Sequence, residues 1–107
     1  CGANHALGRD ALLLKQYQEA IQYLDAACEV CAGTVLHAQI LRFRVEALVE
    51  LDRIDEAESD LEKLIAEYPE NANTYEAGLL VTTKKGDESL AAEYKEKLNA
   101  KSTGEPN

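Results

Sequence analysis

Residues 47–69 read ALVELDRIDEAESDLEKLIAEYP: the end of one helix, a tight turn, and a second helix closed by a proline. In the second segment Ala57, Leu61, Leu64, Ile65 and Tyr68 recur every three or four positions, so one stripe is apolar and the remainder acidic. Such a stripe needs a partner. Just upstream, Leu36, Ile40, Phe43, Ala47 and Leu51 repeat at the same interval, with Leu41 and Leu48 widening the face. Two helices joined by so short a turn lie antiparallel. The stretch therefore predicts a helical hairpin, and the rest of the chain can be searched for others.

Working outward, residues 1–5 read as a short leader that precedes a helix bearing Ala6, Leu7, Ala11 and Leu14. Lys15-Gln16 makes the corner, and Tyr17 to Cys28 carries Ala20, Ile21, Leu24, Ala27 and Cys28 on one face. The pattern lapses between Cys28 and Thr34, where Gly33 suits a loop and Thr34 a helix cap. Pro69 stops the fourth helix, since its ring blocks the next backbone hydrogen bond. Asn71 or Asn73 can cap a fifth helix with Tyr75, Leu79, Leu80 and Thr83; Gly86-Asp87 breaks it. A sixth places Leu90, Ala91, Tyr94 and Leu98 inward, and residues 101–107, with no large apolar side chain, read as a disordered tail. The expected fold is all-α: six helices in three antiparallel hairpins, one domain over residues 6–100, with units at 4–33, 34–70 and 71–100.

Composition agrees with helices. Hydrophobic residues make up 46% of the 107, but only six are aromatic, so alanine and leucine supply most of the core. The formal charge of −9 is concentrated: residues 50–76 hold ten acids against Arg53 and Lys63. That block repels phosphate backbones, which argues against nucleic acid as a partner; it is either a solvated face or a docking surface for a basic partner. No apolar run reaches the roughly 20 residues needed to cross a bilayer.

The hairpins align with one another. Leu7, Gly8, Ala20, Leu24 and Ala27 of the first fit the same pattern as Ala57 and Leu61 of the second, where Leu41 and Leu48 occupy the bulky first-helix sites, Val45 stands in for the glycine and Pro69 closes the unit. The third offers Gly78 or Leu79, then Ala91 and Leu98, in a register open by one residue. Small residues let the helices of a pair approach, and bulky ones fill the space between pairs. In this spacing the chain resembles the tetratricopeptide repeat family over roughly residues 4–100. The resemblance implies a right-handed superhelical solenoid whose first helices line a concave groove for a partner's peptide or helix. Carried onto this sequence, the groove would present His5, Arg9, Leu12 and Leu13, then Gln39, Arg42, Glu46, Val49 and Glu50, then Asn73, Glu76, Leu80 and Lys84. Three units are the minimum for such an array, so a homodimer or a larger complex is a natural way to cover an open end.

Cys1-Gly2 followed by Ala3-Asn4 resembles the start of a mature bacterial lipoprotein, in which the cysteine is acylated; the alternative is that the chain is simply cut there. The lipoprotein resemblance implies a membrane contact through the lipid alone, at the periplasmic side of a bacterial envelope, the outer membrane before the inner. The alternative compartment is the cytoplasm.

Cys28-Glu29-Val30-Cys31 is the one compact motif with reactive residues. Ala32 stands where a haem attachment would need histidine, a redox pair would need alternating strands, and zinc through Cys28, Cys31 and His37 lacks a fourth ligand unless His5 supplies it. A Cys28–Cys31 disulfide in an exported chain and two plain buried thiols are the other readings. Neither histidine can be placed beside a nucleophile and an orienting carboxylate, and the six glycines form no phosphate-cradling loop. The expectation is a non-enzymatic adaptor or assembly factor with no cofactor and no metal. A small redox or metal protein and a permanent structural subunit are the alternatives.

Overall fold

A computed structural model of the protein describes residues 2–34 and 36–102. It contains six helices: α1 (Gly2–Leu13), α2 (Tyr17–Cys31), α3 (His37–Glu50), α4 (Ile54–Glu67), α5 (Ala72–Lys85) and α6 (Glu88–Ser102). No strand occurs among the described residues. The expected leader is not separate from the domain, because helix α1 already begins at Gly2. At the far end α6 continues through Ser102, so the expected tail loses its first two residues to helix and its remainder lies outside the described residues.

The three hairpins share one turn. Lys15 N–H donates to Leu12 O (3.0 Å) and Gln16 N–H to Ala11 O (2.8 Å). Asp52 and Arg53 repeat this toward Val49 O and Leu48 O, and Gly86 and Asp87 toward Thr83 O and Thr82 O. This is a Schellman closure, which needs a left-handed residue just past the helix; φ is 61° at Lys15, 61° at Asp52 and 79° at Gly86. The turns fix the register that the sequence left open. Ala20, Ala57 and Ala91 each donate back to the residue that ends the turn, and the residues twelve before them are Gly8, Val45 and Leu79.

Between hairpins the chain is less regular. Helix α2 runs on to Cys31, so helix takes up much of the extra length expected in a loop. Thr34 does not cap α3. Its hydroxyl donates to Cys31 O (2.7 Å) and accepts from Leu36 N–H (3.3 Å), which closes the loop one step before the helix starts. Asn71 does cap α5, its side chain accepting from Asn73 N–H at 2.8 Å. Tyr68 and Pro69 sit before it, and Thr74 Oγ1 donates to Tyr68 O (2.6 Å), pinning the start of α5 to the end of α4.

Helix α3 is the centre. It touches α1, α2, α4 and α5, and Ile40, Leu41, Val45, Ala47 and Leu48 along it are essentially inaccessible. A helix apolar on nearly every side belongs inside. First helices contact one another in series, α1 on α3 and α3 on α5, whereas α2 does not touch α4 and α4 does not touch α6. Nor does α1 reach α4, α5 or α6. Among the described residues the first hairpin thus packs on the second and the second on the third. Its last helix has no fully buried side chain among the described residues; Ala91, Tyr94 and Leu98 are half-buried against the rest.

Candidate functional site

Along the exposed side of α3 and α5 run two adjoining hollows, of about 240 and 250 Å³. The first is lined by Arg42, Glu46, Glu76, Leu79, Leu80 and Leu98, the second by Val49, Glu50, Leu79, Leu80, Thr83 and Lys84. Leu79 and Leu80 are common to both, so the two make one furrow with a half-buried leucine floor and a charged rim. The floor exists because α5 must turn Ala77, Gly78 and Val81 toward its neighbours, which leaves the intervening leucines facing partly outward.

Arg42 organises the rim. Its Nε donates to Asn73 Oδ1 (2.7 Å) and lies 3.1 Å from Glu76 Oε2, while Nη1 lies 3.5 Å from Glu46 Oε2. The guanidinium also covers the Phe43 ring at 4.6 Å. Glu46 is held above the ordinary glutamate range, chiefly by burial; Arg42 opposes this, and Glu76 and Glu50 add to it by like-charge repulsion. At the other end Lys84 Nζ lies 3.9 Å from Asp52.

Of the expected groove residues, Arg42, Glu46, Val49, Glu50, Glu76, Leu80 and Lys84 line the furrow, and Asn73 reaches its rim through Arg42. Those of α1 do not line it. His5 donates to Gln39 Oε1 (2.7 Å) and stacks on Phe43, Leu12 is buried, Leu13 is 75% exposed, and Arg9 lies 3.7 Å from Asp10 in open solvent. Leu79, Leu98 and Thr83 also line the furrow and are not among the residues the family resemblance implies. Leu79 and Thr83 were visible as residues of one face of α5, but the half-exposure of Leu79 and the full exposure of Thr83 depend on where α6 stops covering α5.

A second concavity, of about 560 Å³, opens on the opposite side between α2, α3 and α4. Asp25, Cys28, Glu29, His37, Leu41, Arg44, Lys63 and Glu67 line it. Arg44 Nε stands 3.3 Å from both Asp25 Oδ1 and Asp60 Oδ2, and Asp60 is only 2% exposed. Burial holds the Asp60 carboxyl above its ordinary range against the pull of Arg44 and Lys63. His37 Nδ1 shares a hydrogen bond with the Tyr68 hydroxyl at 2.8 Å.

The expected Cys28–Cys31 disulfide is not formed. Cys28 is a free thiol that accepts from Arg44 Nη1 at 3.7 Å, while Cys31 is fully buried and disulfide-bonded. Both ride the last turns of α2, but Cys28 borders the cleft and Cys31 points into the core, so their sulfurs diverge. Among the described residues no three of His, Cys, Asp and Glu gather as metal ligands, so the zinc alternative through Cys28, Cys31 and His37 is not assembled. Cys1, the expected lipid site, lies outside the described residues. No helix of the described residues is long and apolar enough to cross a membrane. Compared with known proteins, the chain matches no family model, no curated protein and no solved structure.

Proposed function

We propose that the protein is a non-enzymatic interaction module, a short tetratricopeptide-like array that takes a segment of a partner protein into the furrow between α3 and α5. The observation that carries this reading is the leucine floor. Leu79 and Leu80 of α5 line both hollows and remain partly open to water on a side where the large apolar side chains of α3 are covered. The repeated Schellman turn and the serial contact of α1, α3 and α5 support the tetratricopeptide-like arrangement, with first helices along one face. A right-handed superhelical course belongs to the same proposal.

Replacing Leu80 by a photo-crosslinking amino acid in living cells tests it. A discrete adduct at Leu80, absent when the same group replaces the outward Leu90 and lost on Leu79→Asp, is the expected result. Equal labelling from both positions would sink the reading.

Attachment to a bacterial envelope through a lipid on Cys1, in an adaptor or assembly role, extends this proposal. Mass spectrometry of the N-terminal peptide from the native organism tests this: a lipid mass on Cys1 is the expected result, and an unlipidated Cys1 would sink the extension.

A further inference from the structure

Building on the furrow reading, we infer that the segment it takes is cationic and amphipathic, with apolar side chains for the two hollows and a lysine or arginine between them. The geometry of the rim carries this. Glu46 and Glu50 stand one helical turn apart on α3, and Glu76 faces them from α5. Among the residues lining the hollows the cations are Arg42 and Lys84. Arg42 is divided between Glu46, Glu76 and the Asn73 amide, and Lys84 leans toward Asp52, a carboxylate outside the furrow. Three carboxylates therefore share little more than one guanidinium.

Glu46 holds its proton more tightly chiefly because burial removes water from it; Arg42 opposes this, and Glu76 and Glu50 add to it by repelling its negative form. An ammonium or guanidinium from a guest, seated over Leu79 and Leu80, would relieve that repulsion, and the leucines would cover its alkyl stem. An acidic guest meets the opposite situation, and an uncharged one leaves the carboxylates desolvated without a partner. The chain's net charge of −9 would draw a basic segment inward from a distance.

Fluorescence anisotropy with the full chain and four labelled synthetic peptides of equal length tests this. One combines leucines with lysines, one leucines with glutamates, one leucines with glutamines, and one serines with lysines. The leucine–lysine peptide is expected to bind about tenfold or more tightly than the leucine–glutamine peptide, roughly 1.4 kcal/mol, with the other two weaker still. Its affinity should fall steeply with added salt. The double change Glu50→Gln with Glu76→Gln should remove the tenfold preference, weakening leucine–lysine binding and strengthening leucine–glutamine binding, because fewer carboxylates are then desolvated without a partner; Glu62→Gln, exposed on α4, should change nothing.

Equal binding of the leucine–lysine and leucine–glutamine peptides would overturn the cationic inference while leaving the furrow as an apolar site. Equal binding of the serine–lysine peptide would overturn it too, as adhesion to acidic surface. Failure of every leucine peptide to bind would remove the furrow reading itself. Should the double variant lose its helical circular dichroism, the salt dependence of the unaltered protein decides the matter alone.

Discussion

Gly8 and Gly78 both sit where another helix presses close, yet the two sites differ in how much they can yield. A methyl group at Gly8 would lie 2.6 Å from Leu24 Cδ2, and Leu24 is completely buried. At Gly78 it would run into the Tyr94 ring, but Tyr94 is on the outermost helix and half-exposed. Overpacking costs about 1–3 kcal/mol where neighbours are locked, against roughly 1 kcal/mol gained by alanine over glycine inside a helix. Gly8→Ala should therefore lower stability by about 1–2 kcal/mol in urea unfolding, and Gly78→Ala by less. The reverse order would mean that α1 rather than α6 is the loosely held helix.

Lys15 and Asp52 fill left-handed positions that the third hairpin gives to Gly86. Lys15→Gly should raise stability by roughly 0.5–1 kcal/mol, since a lysine pays for its Cβ there; Asp52→Gly should gain less, because aspartate tolerates the region better. Glu46 makes a pH prediction. Its folded-state proton affinity is raised above the ordinary value of 4.5, so the native chain binds more protons than the unfolded one just above that value. The contribution of Glu46 to stability therefore grows as pH falls from neutral toward 4.5 and shrinks as pH rises. Thermal melts across that range should show a smaller acid-side gain for Glu46→Gln than for the unaltered chain.

At the level of the helices, α3 and α6 are the extremes. Leu48 on α3 is 1% exposed, and Leu48→Ala should cost about 2–5 kcal/mol; Leu90→Ala on α6, with its side chain 38% exposed, should cost well under half as much. Native-state hydrogen exchange should be slowest in α3 and fastest in α6. Uniform protection across all six helices would contradict the packing described. The sequence disclosed each of these helices because alanine and leucine recur at helical spacing, and it narrowed the cap of α5 to Asn71 or Asn73, of which the structure uses Asn71. It hid the first two Schellman residues, where lysine and aspartate give no glycine signal, and it hid the start of α1, where Ala3 and Asn4 carry no stripe. The furrow was half legible. Arg42, Glu46 and Glu50 follow from their place on α3, but the opening over Leu79 and Leu80 depends on how much of α5 the last helix covers, a tertiary fact.

The molecule as a whole has neighbours only in sequence order. Because α1 never meets α4, α5 or α6, the energy of the first hairpin reaches the third only through α3. Substitutions in α1 and α6 should then add in their effects on unfolding to within about 0.5 kcal/mol, whereas either one combined with a change in α3 should not. His5 on Phe43, Phe43 under Arg42 and Arg42 against Glu76 form one line of side-chain contacts across all three hairpins on the furrow side.

That serial layout carries an architectural freedom that a closed bundle lacks. Nothing in the packing counts the units, so a duplicate of residues 36–71, spliced in behind the original, would find on its preceding side the surface that α5 now covers, and would offer the same surface onward. Such a four-hairpin protein should fold, melt higher, and carry a longer trough.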